Sequence, residues 1–200
     1  VSSAASDVYK RQEEWGVKDF EEIDVEQAIA NLKEGIPVPV VFTARAVREG
    51  GFFAGTEQER LQILEQGIKS EVSFVDLELS IEKKSRDKLV KLASSSNCQV
   101  IASIHETKAT PSAEEIVTMV KDNSSQGDII KFCSTVSNHQ EALQIFQAAN
   151  SLVGQDSTHS LMGLGNGGDW VRLHAPVLDQ AIVYALSLIH ISEPTRLVSI

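Results

Sequence analysis

Short apolar, β-branched runs separated by amphipathic stretches constrain this chain most. The runs are VPVVFTAR (38–45), VSFVDLEL (72–79), QVIASIH (99–105), DIIKFC (128–133) and STHSLMGL (157–164), with a further run QAIVYAL at 180–186. They recur at intervals of about 25–35 residues. Strands at that spacing with helices between them predict a parallel sheet built from right-handed crossovers. Runs this apolar suit a sheet covered on both faces. The intervening segments have helical patterns. TEQERLQILEQGIK places Leu61, Ile63, Leu64 and Ile68 in one helix. Thr110-Pro111 predicts the start of another, with Pro at its first position and Glu114 and Glu115 in its first turn. SNHQEALQIFQAAN offers Ser137 or Asn138 as a cap and predicts a shared face of Leu143, Phe146 and Ala149.

Two α/β architectures satisfy this pattern, an open doubly wound sheet and a (β/α)8 barrel. No GxGxxG follows the first run, and GLGNGG (163–168) follows a late one, so the dinucleotide fingerprint is weak. Polar residues instead sit at the C-terminal ends of several different runs: Arg45, Glu78 and His105. Barrel enzymes gather their chemistry in that way. The expected fold is therefore an α/β barrel of the (β/α)8 TIM type, incomplete here, with five full strand–helix units and one cut strand.

The 200 residues suffice for one sizeable domain. A formal net charge of −10 argues against nucleic acid as a partner, since phosphate binding needs a basic surface. Cys98 and Cys133 form neither a disulfide framework nor a metal pattern, so no metal is expected. No apolar run approaches the roughly 20 residues of a membrane span, and no secretory signal is visible.

The two ends are related through the genetic code. DVYKRQ (7–12) can be written GAT GTG TAT AAG AGA CAG, whose reverse complement reads Leu-Ser-Leu-Ile-His-Ile, the sequence at 186–191. An inverted repeat of six codons resembles the transposase end of a sequencing-library adaptor. The flanking SSAAS and SEPTR resemble translations of its two arms. Residues 1–12 and 186–200 are accordingly expected to be translated adaptor, and 13–185 to be an internal stretch of a longer protein.

In DIIKFC, strand alternation puts Ile129, Lys131 and Cys133 on one side and Ile130 and Phe132 on the other, toward the helices. An inward Lys131 lies in the barrel interior, where lysine is rare without a partner. It either pairs with an inward carboxylate such as Glu78 or serves as an imine-forming nucleophile. An ordinary lysine is only about one part in 2,500 neutral at pH 7, and desolvation raises that fraction. His105 ends the preceding run, within about 5 Å or slightly more if the two strands align, and suits a general acid/base. In FTARAVREGG (42–51), Arg45 could bind an anion and Glu49 could orient a histidine; a surface salt-bridging loop is the plainer alternative.

Together these segments resemble type I 3-dehydroquinate dehydratase, a Schiff-base lyase of the shikimate pathway. The pattern F-T-x-R-x-x-x-E-G-G is met by Phe42, Thr43, Arg45, Glu49, Gly50 and Gly51. D-x-E is met by Asp76 and Glu78, S-x-H by Ser103 and His105, and D-I-x-K by Asp128, Ile129 and Lys131. Met162-Gly163 and then Arg172 with Ala175-Pro176 follow in order. The chain departs from the family in having Val171 before the late arginine and in the longer GNGG interval.

The resemblance implies that Lys131 forms an imine with 3-dehydroquinate and that His105 moves the protons. It implies that Glu49 holds the histidine, Arg172 binds the substrate carboxylate, Arg45 binds substrate hydroxyls, and Glu78 lies at the substrate site. It implies no external cofactor, and a cytoplasmic enzyme, or a plastid one in a photosynthetic source. It leaves open a homodimer or a fusion to shikimate dehydrogenase. With two strands and the last loop missing, the chain as it stands is expected to be inactive. A class I aldolase-type barrel and a non-catalytic barrel of the same fold are the rival readings.

Overall fold

The computed structural model describes residues 24–35, 38–165 and 167–184. Both ends expected to be adaptor, 1–12 and 186–200, lie outside the described residues. The chain divides into two compact units. Among the described residues, the first holds 24–77 and 81–100, and the second holds 78–80 and 101–184.

In the first unit, helix α1 (Val25–Gly35) buries Val25 and Ile29 one turn apart. Strand β1 (Val41–Phe42) pairs in parallel with β2 (Phe74–Glu78), Val41 opposite Phe74 and Phe42 opposite Val75. Helix α2 (Glu57–Lys69) begins at a reciprocal cap. The Thr56 hydroxyl accepts from the Glu59 amide, and the Glu59 carboxylate accepts from the Thr56 amide; such a cap contributes about 1 kcal/mol. Helix α3 (Lys83–Ser95) is capped by the Glu82 carboxylate, which accepts from the Ser85 amide. Val75 and Leu77 of β2 join Leu64 and Ile68 of α2 and Leu89 and Ala93 of α3 in one apolar core. Gly67 lets α2 approach the sheet, because a Cβ there would stand 2.3 Å from the Phe42 ring.

In the second unit, β3 (Gln99–Glu106), β4 (Ile129–Thr135) and β5 (His159–Leu164) run parallel. Helix α4 (Ala113–Asp122) starts two residues later than Thr110-Pro111 predicts. The hydroxyl of Ser112 and the carboxylate of Glu115 form a reciprocal cap that fixes the start, leaving Pro111 outside the helix. Helix α5 (His139–Leu152) is capped by Asn138, whose side chain accepts from the Glu141 amide. Its buried face is Ala142, Ile145, Ala149 and Leu152, one position round from the expected face, and Leu143 is exposed. The small alanines let the helix lie close to the strands, where Ile130, Phe132 and Leu161 meet it. That leaves the bulkier Leu143 and Phe146 at the rim.

In the first unit β1 pairs with β2, and in the second β3, β4 and β5 lie side by side in sequence order. Next to β3, the amide of Gln99 donates to the Ser73 carbonyl within the first unit, and that of Leu79 donates to the Ser103 carbonyl within the second. The α/β class and the parallel crossovers are as expected. The first run is shorter than expected, since only Val41 and Phe42 pair before the chain turns into a 3-10 helix at Val47–Glu49. Of the last run, the described part makes a single bridge, His159 with Gln180. No strand pairing closes the sheet on itself among the described residues.

Candidate active site

In the first unit, the loop after β1 carries Arg45 and Glu49, and both are buried. Arg45 Nη2 donates to Asp76 Oδ2 at 2.7 Å. Asp76 alternates with the core residues Val75 and Leu77, so it leaves β2 on the face away from the helices. Glu49 ends the 3-10 helix, and Gly50 follows in the left-handed region at φ 79°. Gly51 packs on Arg45, where a Cβ would stand 2.3 Å from the Arg45 carbonyl oxygen. The two charged residues singled out in this motif are thus buried, while Arg48 between them is exposed.

A second arginine fixes the loop from beneath. Arg60 of α2 is fully buried and donates from Nη1 to the Ala44 carbonyl at 2.8 Å. Its Nε and Nη2 bind the Glu57 carboxylate at 3.0 and 2.7 Å, and Arg48 binds the same carboxylate at 3.1 and 3.3 Å. Hydrogen bonding from Arg60 lowers the Glu57 carboxyl to about 2, with Arg48 adding to the effect and burial opposing it.

In the second unit, Lys131 lies mid-strand in β4 at 2% exposure. Its neighbours Ile130 and Phe132 belong to the helix-facing core, so Lys131 points to the opposite face, as alternation predicts. Register sets the rows on that face. Ser103, Lys131 and Ser160 are partners across β3, β4 and β5, and His105, Cys133 and Met162 form the next row. His105 is thus diagonal to Lys131 rather than beside it. Two residues along and one strand across give a backbone separation of about 8 Å, wider than the sequence suggests and bridged by the length of the two side chains. Glu78 ends β2 fully buried, next to the Leu79 amide that binds β3.

Lys131 Nζ lies 4.6 Å from the centre of the Tyr184 ring. The segment carrying Tyr184 is tied to β5 by three hydrogen bonds. Ser160 Oγ donates to the Ile182 carbonyl, the Ala181 amide to the His159 carbonyl, and the Leu161 amide to Gln180 Oε1. Arg172 is half-buried on the short helix α6 (Trp170–Leu173). The glycines before it make a close backbone crossing, since a Cβ on Gly168 would stand 2.5 Å from the Gly163 carbonyl carbon. Close packing accounts for these glycines without a dinucleotide.

Asp76 as the partner of Arg45, Tyr184 over Lys131, and buried Arg60 were not legible as such. Arg60 had a signal: it precedes Leu64 by four residues and Gly67 by seven, on the buried face. Among the described residues no group of three or more His, Cys, Asp and Glu side chains is gathered as for a metal ion. None of their helices is long and apolar enough to cross a membrane.

Parallel strands with helices between them, and a buried lysine on the face away from those helices, define the class as an α/β fold of the barrel type. The family model for type I 3-dehydroquinase matches residues 7–196, and the chain belongs to that family. It is 34% identical over 131 residues to a 3-dehydroquinate dehydratase of Methanocaldococcus jannaschii, covering 64% of this chain and 56% of that one. A relative from Methanococcus maripaludis, also a 3-dehydroquinate dehydratase, is 30% identical over 143 residues, covering 72% and 64%. The chain thus spans less than two thirds of the length of these curated relatives. The crystal structure of type I 3-dehydroquinate dehydratase from Clostridium difficile superposes with a TM-score of 0.76 at 24% identity, covering 82% of this chain and 66% of that one. That likeness establishes the fold.

Proposed function

We propose that the protein dehydrates 3-dehydroquinate to 3-dehydroshikimate through an imine on Lys131. The observation that carries this reading is a lysine at 2% exposure on the non-helix face of β4, with His105 one register row away. Burial penalises the ammonium form and favours the free amine that attacks a ketone. The nitrogen bonds to the carbonyl carbon, and the carbonyl oxygen leaves as water. The protonated imine then draws electrons from the adjacent C–H bond. His105 takes that proton and returns one to the departing hydroxyl, which leaves as water. A water molecule then hydrolyses the imine, freeing the product ketone and the Lys131 amine, so that the overall reaction loses one water.

Arg172 and Glu78 are proposed as substrate contacts. Arg172 is half-buried, and a guanidinium matches a carboxylate in two-point hydrogen bonding. In the first unit, Arg45 and Glu49 are assigned by their motif, Arg45 to substrate hydroxyls and Glu49 to holding the catalytic histidine. The Asp76 ion pair supports the Arg45 assignment, because it holds the guanidinium in one orientation.

The test is reductive trapping. A full-length protein carrying these residues is incubated with 3-dehydroquinate and borohydride, and the modified peptide is mapped by mass spectrometry. An adduct on Lys131 that is lost in Lys131→Met supports the reading. An adduct elsewhere, or none, overturns it.

A further inference from the structure

We propose that Tyr184 is a further residue of this site, whose ring face holds the Lys131 nitrogen and stabilises positive charge on it, on the ammonium before reaction and on the iminium during it. The proposal rests on the lyase reading above for its catalytic half, and on geometry alone for its effect on the free lysine. Nζ stands 4.6 Å from the ring centre, well within the roughly 6 Å over which an aromatic face attracts a cation. The site is dry, with Lys131 at 2% exposure, and such contacts strengthen when desolvated.

The ring is held in place by its backbone. Ser160 Oγ binds the Ile182 carbonyl at 2.7 Å, and Ser160 is the register partner of Lys131 on β5. The residue that neighbours the lysine across the sheet therefore also anchors the segment that delivers the ring. The Ala181 amide and the Gln180 side chain add two further ties to β5.

The chemical consequence follows from where charge resides. Imine formation places a positive charge on the nitrogen once the imine is protonated, and only that form withdraws electrons from the neighbouring C–H bond effectively. Desolvation works against any charge on this nitrogen. The negative face of the ring opposes that penalty in part. The ring thereby favours the protonated imine, the form that withdraws electrons, beyond what burial alone allows.

The experiment compares Tyr184→Phe, Tyr184→Leu and pentafluorophenylalanine in place of Tyr184. The lysines are labelled at Cε with carbon-13 and titrated by NMR, with the Lys131 signal assigned by its loss in Lys131→Met. Phe should keep the Lys131 titration where it is. Leu and the fluorinated ring should move it down by about one pH unit, and the low-pH limb of borohydride trapping should move with it. Pentafluorophenylalanine retains ring shape while reversing the sign of the face, so it decides the matter if Leu fails to fold. An unchanged titration with the fluorinated ring, or a shift in Phe as large as in Leu, overturns the proposal. Failure of the unsubstituted protein to form any adduct at Lys131 overturns the lyase reading instead, while the titration still decides the effect of Tyr184.

Discussion

Arg45 and Asp76 form an ion pair of 2.7 Å in which both side chains are almost wholly buried. Burying two charges is costly, and removing one partner exposes the full penalty of the other. Asp76→Ala should therefore destabilise the protein by about 3 kcal/mol, read as a fall in the urea midpoint. Asp76→Asn, which keeps the shape and an acceptor, should cost less. A loss as large in Asn as in Ala would show that the charge alone, and not the shape or the acceptor, holds the pair.

The Glu57 carboxylate joins Arg60, which grips the Ala44 carbonyl, to Arg48 of the loop. Its folded value of about 2 lies below the ordinary 4.5. A lowered carboxyl contributes stability that is fully present above about pH 4.5 and is lost as pH falls toward 2, because the unfolded chain binds the proton first. Denaturant midpoints measured from pH 5 down to 2 should fall more steeply for the natural protein than for Glu57→Gln. Solvent reaches Glu57, whose side chain is 40% exposed, so the difference in slope should be modest.

Gly51 sits against the backbone of Arg45, and a Cβ would come within 2.3 Å of a carbonyl oxygen that cannot swing aside. Gly51→Ala should therefore cost about 1–3 kcal/mol through backbone displacement. It should also move Arg45, so turnover should fall at temperatures where the protein remains folded. Thermal unfolding and activity measured on the same sample separate the two effects.

The fold class was legible because its signals are local. Alternating Ile129, Ile130, Lys131, Phe132 and Cys133 state which side chains face the helices, and the Asn138 cap follows from a side chain three residues from its partner. Relations between segments were less so. Register decides that Lys131 pairs with Ser103 and Ser160 while His105 pairs with Cys133, and nothing within either run reports it. Tyr184 reaches Lys131 through hydrogen bonds made by a different residue, Ser160. The buried face of α5 was read one position off because Leu143 and Phe146 outweigh alanines in a hydrophobic pattern, although close packing favours the smaller residues.

The diagonal placement of His105 allows its role to be tested apart from that of the nucleophile. A general acid/base contributes about 10²–10⁴-fold to a proton transfer. His105→Ala should reduce turnover by about that factor. Its half-buried position makes a small effect on stability the expected companion, to be checked by thermal unfolding. The pH dependence of the remaining activity should lose the limb that reports the histidine, whereas Lys131→Met should abolish activity at every pH. An unaltered pH profile in His105→Ala would remove the histidine from the mechanism and leave Lys131 to act with another base.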